Sequence, residues 1–349
     1  MSPDSLSGHL SDAVAAFERL PHKRLVLLGR PGSGKSVFAL TLLLSLLDKR
    51  APSGLVPVLF PLVSWDPSAL SLRDWMSQYL DENYHLDKAG PLGSSVHQRL
   101  VRTDRLLPIL DGLDEIPAHL RPTGISQINN SLDLGQQLVL TCREEEFRDA
   151  VERNDVVTLA AVVQLLPLDC ATVTGYLTRT TPARRAHAWA PVADYLEAHP
   201  LSALAQVLST PLMVSLARVI YGDNPREPAE LLGANFSDPG SIAEHLLNEL
   251  IPAVYPDVPP RRGGTSTRWQ APDVMEWLTF LATCLGQASS GELAWWQLEN
   301  AVPRVILEAA GGVLGGLAVA ITFGPAVGLT FAVLVTIAGV ATRSRSPDP

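Results

Sequence analysis

The chain has 349 residues, more than a typical single domain, so we expect at least two packed units. Its formal net charge of -9 argues against a general nucleic-acid-binding protein, because binding to phosphate backbones requires a basic surface. The three cysteines, Cys142, Cys170 and Cys284, match neither a zinc-binding spacing nor a disulfide framework, which favours a reducing compartment.

The first half of the chain alternates between two kinds of pattern. Apolar residues at helical spacing predict a leading helix within residues 1–21. Compact aliphatic runs then predict strands at residues 24–28, 55–65, 105–110, 137–141 and 162–166. Helical patterns lie between them, at residues 37–50, 70–80, 94–102 and 125–134. This alternation over residues 22–168 predicts an α/β unit with a wound, mainly parallel sheet.

Beyond residue 168 the strand pattern fades and helical patterns follow one another. They cover residues 169–179, 191–198, 201–221, 241–255 and 272–286, with loops rich in proline and glycine between several of them. The sequence therefore predicts a second, helical region over residues 169–300.

The last part of the chain, residues 301–349, is unusually apolar. Residues 309–342 contain no charged side chain across 34 positions, which makes a membrane segment the favoured interpretation. A straight helix of that length would measure about 51 Å, against a hydrocarbon core of roughly 30 Å, and Gly324-Pro325 is a natural break. One kinked span, a hairpin of two short helices and a buried soluble hairpin are the alternatives. The arginines just beyond suit a cytoplasmic end, and we expect membrane contact through residues 305–342.

A glycine-rich loop separates the first predicted strand from the helix that follows. Its residues satisfy G-x-x-x-x-G-K-[ST] and are Gly29, Arg30, Pro31, Gly32, Ser33, Gly34, Lys35 and Ser36. Such a loop can point successive backbone N–H groups at a polyphosphate, and the helix adds the positive end of its dipole. We expect Lys35 to reach the β- and γ-phosphates and the Ser36 hydroxyl to ligate Mg²⁺. A glycine loop that arose by chance is the alternative, which the strand-loop-helix context disfavours.

The second candidate motif is acidic. It lies at the end of another aliphatic strand, LLPILD, whose last residue is Asp111. Ligands of wound sheets bind where the strands end, so Asp111 is expected to hold the magnesium ion. Glu115, and after it Asp114, are candidates for orienting or deprotonating the attacking water. A solvated turn is the alternative for these two carboxylates.

Two further polar residues are candidate phosphate contacts. Arg143 ends the predicted strand QLVLTC and is placed to sense a γ-phosphate, or else to form an ion pair with one of the glutamates at 144–146. His245 lies on a predicted helix and is either a phosphate contact or a partly buried structural histidine.

Five motifs in order, GRPGSGKS, VPVLFPLVSW, LLPILDGLDEIP, LVLTCREEEF and LSTPLMVSLA, resemble those of NACHT-domain ATPases. These proteins belong to the STAND class of signal-transducing P-loop NTPases. The resemblance implies a P-loop NTPase core over residues 22–168, followed by a helical lid or winged-helix-like region over residues 169–300. The roles that it implies are phosphate and magnesium binding for Lys35 and Ser36, the Walker B aspartate for Asp111, the hydrolytic acid for Glu115, the sensor for Arg143, and packing near adenine for Pro211.

In this family ADP holds a closed form, and exchange for ATP permits opening and oligomerisation. The layout here, with an apolar segment after the helices, resembles membrane-linked bacterial NACHT proteins. We therefore expect a slowly hydrolysing signalling switch that binds ATP or ADP with Mg²⁺, is tethered to a membrane with its NTPase portion in the cytoplasm, and serves bacterial defence or regulation. Its expected partner when ATP-bound is a second copy or another protein.

Two other functions stay open at this point. One is a small-molecule kinase or other metabolic P-loop enzyme. The other is a non-hydrolysing scaffold that assembles at the membrane when it binds ATP.

Overall fold

The computed structural model describes residues 13–84, 96–133, 135–153, 155–233, 236, 238–255, 269–287 and 321. The chain divides into two units, Met1–Glu276 and Trp277–Pro349. The sheet, the helices that cover it and the candidate site all belong to the first unit.

A parallel sheet is the centre of the described part of the chain, as the alternating pattern predicts. Its strands run in the order β2-β3-β4-β1-β5, and every neighbouring pair is parallel. Their bounds are β1 Arg24–Leu28, β2 Val56–Pro61, β3 Leu106–Asp111, β4 Leu138–Cys142 and β5 Ala161–Gln164. The predicted strand at residues 55–65 is shorter than expected, because Pro61 ends it and a 3-10 turn, Leu62–Ser64, follows.

Helices cover both faces of this sheet, which is why its inner strands are aliphatic throughout. Successive residues of β4 show the arrangement: Leu138, Leu140 and Cys142 pack into one hydrophobic core, whereas Val139 packs into the other. The helices of this half are α1 Ala13–Arg19, α2 Lys35–Asp48, α3 Leu72–Asn83, α4 Val96–Arg102, α5 Arg121–Ser131 and α6 Glu144–Glu152. Helix α6 was not predicted; its three N-terminal glutamates suit the positive end of a helix dipole.

The second half of the described chain is helical, with its own core around Trp189 and Tyr221. Its helices are α7 Cys170–Thr180, α8 Ala183–Ala186, α9 Ala190–Ala198, α10 Ala203–Val207, α11 Pro211–Ala217, α12 Pro239–Val254 and α13 Ala271–Gln287. Every described element after β5 is helical. The winged-helix-like part of the expectation for residues 169–300 stays a prediction.

The prediction of a single helix at residues 201–221 is wrong in one respect, because the chain forms two helices there, α10 and α11. Ser202 caps α10 by accepting the N–H of Ala205. Thr210 is extended, and Pro211 then begins α11 at a position where the missing N–H does no harm. A short π-helical turn, Arg218–Gly222, follows α11 directly.

The predicted membrane segment at residues 309–342 lies outside the described residues, apart from Ile321. Within the parts of the chain that are described, none of the helices has both the length and the apolar character needed to cross a bilayer.

The end of the sheet opposite the glycine-rich loop is held by an arginine at the start of β1. Arg24 is only 1% exposed. Its guanidinium donates to the backbone carbonyls of Gln136 and Thr158, both at 2.9 Å, and to that of Asp133. These carbonyls belong to the loops that precede β4 and β5, so one side chain aligns the entry of three adjacent strands.

We expect Arg24→Met to lower the free energy of unfolding by roughly 2–3 kcal/mol, because it leaves buried carbonyl groups without a donor. Urea unfolding followed by tryptophan fluorescence measures the change. Arg50→Met is the matched control, since Arg50 also donates to loop carbonyls but is exposed, and it should change stability by less than about 0.5 kcal/mol. Equal losses in the two variants would contradict the role of Arg24.

Candidate nucleotide-binding site

The glycine-rich loop connects β1 to α2 at the carboxyl edge of the sheet. Its first residue continues the strand, because the Gly29 N–H donates to the carbonyl of Cys142 at 3.3 Å. A Cβ on Gly29 would lie 2.4 Å from the Ser33 hydroxyl oxygen, and Gly32 and Gly34 adopt positive φ angles of 73° and 90°. A larger residue at Gly29 would therefore collide with the loop itself, and at the other two positions it would strain the backbone.

Lys35 folds back over this loop. Its ammonium group donates to the carbonyls of Gly29 at 2.9 Å and of Arg30 at 3.3 Å, which places the positive charge above the loop backbone. Lys35 is also the first residue of α2, whose first-turn N–H groups have no acceptors within the helix. The Ser33 hydroxyl oxygen is buried without a hydrogen-bond partner in the structure. Together these groups form a donor-rich surface suited to an anion.

Asp111 ends β3 two strands away from β1, with β4 between them. The hydroxyl of Thr141 on β4 accepts the N–H of Gly112 at 2.9 Å and donates to a carboxylate oxygen of Asp111. Thr141 is fully buried. Sequence reasoning missed it, and the signal that was available was a lone hydroxyl inside the aliphatic run LVLTC.

Glu115 lies beside Asp111 because the chain turns sharply after β3. Gly112 has a φ of 84° and leads into a 3-10 turn, Leu113–Glu115. The Glu115 side chain folds back until its carboxyl carbon is 2.8 Å from where a Cβ on Gly112 would stand. Burial raises the pKa of the Glu115 carboxyl above its usual value, and the nearby charges of Asp114 and Asp111 raise it further, against the opposing effect of Arg143 and Lys35.

Asp114 has a different environment from Glu115. Its side chain is 6% exposed, and Arg143 engages both carboxylate oxygens, through its backbone N–H at 3.0 Å and its Nε at 2.8 Å. The alternative of a solvated turn is therefore wrong for this residue. Because its oxygens already accept these two bonds, Asp114 is a poorer candidate base than Glu115.

Arg143 stands at the mouth of the site, with 45% of its side chain exposed. Besides Asp114 it approaches Glu146 at 3.6 Å, so one of the ion pairs weighed from the sequence does form. Glu144 pairs with Arg148 instead. The sensor role of Arg143 stays a prediction, and its ion pair with Asp114 is the arrangement from which such a role would start.

Most of the predicted residues meet in one cavity of about 430 Å³, within the usual range of roughly 300–1,000 Å³ for small-molecule sites. Gly29 and Arg30 are not part of its lining; their carbonyls accept hydrogen bonds from Lys35, which is. The lining residues are Pro31, Gly32, Ser33, Gly34, Lys35, Ser36, Val37, Asp111, Gly112, Asp114, Glu115, Thr141, Arg143, Pro211, Leu212 and Ser215.

Helix α11 brings the helical region to this cavity. The Leu212 N–H donates to the carbonyl of Gly32 at 3.2 Å, and Pro211 lies 3.9 Å from where a Cβ on Gly34 would stand. The sequence singled out Pro211 but missed Leu212 and Ser215, because nothing local to LSTPLMVSLA indicates which of its residues face the loop. Packing of Pro211 near adenine stays a prediction.

His245 lies outside this lining. Its Nε2 is 2.9 Å from the Tyr221 hydroxyl oxygen, and its ring packs on that of Phe236 at 4.8 Å between centroids. These contacts agree with the structural alternative for this histidine.

The residues present fit a nucleoside triphosphate with a magnesium ion. The loop supplies backbone donors and an ammonium group for phosphate oxygens, while Ser36 and Asp111 supply the hydroxyl and carboxylate that magnesium prefers. Among the described residues no cluster of three or more His, Cys, Asp or Glu side chains could hold a metal by itself. Magnesium rarely needs such a cluster, because it keeps several waters and binds substrate phosphates.

The comparisons with known proteins gave one loose structural similarity and one specific family match. A search of curated proteins found no significant match. One similar solved structure is a closed-state cryo-EM reconstruction of Hsp104 with ATPγS and FITC casein, with 15% identity and a TM-score of 0.35. That match covers 70% of this chain and 41% of the other, and a likeness so loose carries no argument about function.

The family comparison is specific. The model of the NACHT domain matches residues 23–184, a range that contains all five strands, the glycine-rich loop and Asp111. The resemblance carried by the motifs is thereby confirmed over this range. Over residues 23–184 this chain is therefore similar to the NACHT domain, a family of P-loop NTPases.

Proposed function

We propose that this chain is an ATP-binding, slowly hydrolysing NACHT-type switch, in which the nucleotide controls the position of the helical region. The observation that carries the proposal is the shared cavity: α11 of the helical region donates a backbone hydrogen bond to the glycine-rich loop that would hold the phosphates. A nucleotide bound there would touch both parts at once.

Binding would rest on the loop and on Lys35. The ammonium group of Lys35 already stands over the loop, so it needs little rearrangement to meet phosphate oxygens. Ser36 and Asp111 would hold the magnesium ion, which when bound supplies positive charge to the phosphate oxygens. The cluster of Asp111, Asp114 and Glu115 in one cavity favours a site that takes a metal together with the anion.

Hydrolysis would rest on Glu115. Its raised pKa makes it a better proton acceptor than an ordinary glutamate. As the water oxygen bonds to the γ-phosphorus, the bond from phosphorus to the ADP oxygen breaks, and the water proton passes to Glu115. Slow turnover is supported by the ion pair of Arg143 with Asp114, because that carboxylate competes with a γ-phosphate for the Arg143 guanidinium.

The switch would be read out through α11. Its N-terminus contacts the loop, while Val214, Leu216 and Ala217 are buried in the core of the helical region. A shift of the loop is thus transmitted to a packed body and not to a free segment. A second copy or another protein would bind the ATP form, and we do not expect nucleic acid as a partner of a chain with a net charge of -9.

A membrane tether completes the proposal. The uncharged run at residues 309–342 supports it, together with the arginines that follow, which suit a cytoplasmic end. The NTPase portion would then lie in the cytoplasm, in a system of bacterial defence or regulation.

The nucleotide site is tested by Lys35→Ala. We expect a loss of ATP affinity of roughly 10- to 150-fold, since a hydrogen bond to a charged group contributes about 1.5–3 kcal/mol. Binding of ATP carrying a fluorescent label measures it. Lys49→Ala removes an exposed lysine at the other end of α2 and should leave the affinity unchanged. Wild-type affinity in Lys35→Ala would overturn the proposed function.

The hydrolytic role is tested by Glu115→Gln. We expect ATP binding within about threefold of wild type and phosphate release slower by roughly 10²- to 10⁴-fold, the usual contribution of a general base. Glu145→Gln, at an exposed carboxylate of α6, is the control and should keep wild-type turnover. Unchanged phosphate release in Glu115→Gln would contradict its role. A wild-type protein that binds ATP without releasing phosphate would favour the scaffold, and a phosphorylated small molecule would favour a kinase.

The pH dependence follows from the same residue. Only the ionised carboxylate can accept a proton, so wild-type kcat/KM, which reports the pKa of the free enzyme, should fall as the pH drops through the pKa of Glu115. Because that pKa is raised, the midpoint should lie above the ordinary value of 4.5. The residual activity of Glu115→Gln should not fall over this pH range. If it falls with the same midpoint, the pH dependence belongs to another group.

The membrane tether is tested by fractionation of the full chain and of a chain that ends at residue 304. We expect the full chain to stay with membranes after a high-salt wash and the shorter chain to be released. Both should bind ATP, because the cavity lies in residues 31–215. Release of the full chain by salt would contradict an inserted segment.

A further inference from the structure

Thr141 is the one residue of β4 that brings a side-chain hydroxyl into the cavity, among the residues described. It is fully buried in a strand otherwise made of aliphatic residues and a cysteine. A buried hydroxyl is unfavourable unless it is hydrogen-bonded, and this one makes two bonds, both to the acidic turn that follows β3.

The direction of these bonds is fixed by counting protons. The Gly112 N–H can only donate, so the Thr141 oxygen accepts that bond. The hydroxyl has a single proton, which then points to one carboxylate oxygen of Asp111. That oxygen receives a charge-assisted bond, so the rotation of the carboxylate is set and its second oxygen is left for another partner.

The same hydroxyl also steadies the turn. Gly112 is in the left-handed region, and the 3-10 turn that begins after it carries Glu115. By holding the Gly112 N–H, Thr141 ties the start of this turn to β4, which is itself hydrogen-bonded to β1. Asp111 on β3 and the glycine-rich loop after β1 are therefore set relative to each other through the strand between them.

We propose that Thr141 is a positioning residue for the metal: its hydroxyl orients Asp111 so that the free carboxylate oxygen meets Mg²⁺ bound with ATP. The inference rests on the proposed function and adds a residue to it. It places the effect of Thr141 on the metal and not on the phosphates, which the loop and Lys35 contact separately.

The test compares ATP affinity in saturating Mg²⁺ with ATP affinity in EDTA, using fluorescently labelled ATP. In Thr141→Val, which keeps the shape and removes the hydroxyl, we expect the ratio of the two affinities to fall about tenfold or more. The affinity in EDTA should stay within about twofold of wild type. Thr141→Ser keeps a hydroxyl and should restore the ratio to within about threefold. If Thr141→Val does not fold, Thr141→Ala replaces it, and we expect the same fall in the ratio.

A wild-type ratio in folded Thr141→Val or Thr141→Ala overturns the inference. So does an equal loss of affinity with and without Mg²⁺, which indicates general damage to the site, and so does a Thr141→Ser ratio as low as that of Thr141→Val, which assigns the effect to packing. The proposed function fails separately, and visibly, if the wild-type protein shows no Mg²⁺-dependent affinity for ATP.

Discussion

The carboxyl ends of β1, β3 and β4 must lie level with one another, because each strand delivers a different part of the candidate site. The glycine-rich loop follows β1, Asp111 ends β3, and Thr141 and Arg143 come from the end of β4. Parallel pairing brings these ends to one edge. Two hydrophobic cores, one on each face, hold the strands in that register, and Arg24 aligns β1, β4 and β5 from the opposite end.

At this edge of the sheet, acidic side chains are concentrated in one cavity. Asp111, Asp114 and Glu115 lie in one cavity with only Lys35 and Arg143 as cations among its lining residues. Burial raises the pKa of Glu115, and this excess of negative charge raises it further. In the proposed function a magnesium ion would offset this excess of negative charge.

The parts of the site that sequence reasoning could find are those in which the backbone dictates residue types. The loop needs glycine at Gly32 and Gly34 because both have positive φ, and the aliphatic run before Asp111 is what a buried parallel strand requires. Thr141 left no comparable trace, since one hydroxyl in a strand is common and its partners lie on another strand. The pairing of Asp114 with Arg143 likewise depends on strand order, which a single sequence does not give.

The helical region shows a different limit of prediction from the sequence. Leucines and valines keep helical spacing through residues 201–221, so the pattern runs across a break that only the extended Thr210 and the following Pro211 create. The pattern could not reveal the consequence of the break, which is that the start of α11 faces the glycine-rich loop.

The start of α11 suits a contact that must be able to change. Pro211 has no N–H, so the first donor of the helix is the N–H of Leu212, which has no acceptor within the helix and bonds the carbonyl of Gly32 instead. One backbone hydrogen bond contributes only about 0.5–1.5 kcal/mol, so it can be exchanged when the loop rearranges around phosphate. The other side of α11 is buried in the large core of the helical region. A weak bond at the loop joined to a firm attachment in the core is the combination that the proposed switch requires.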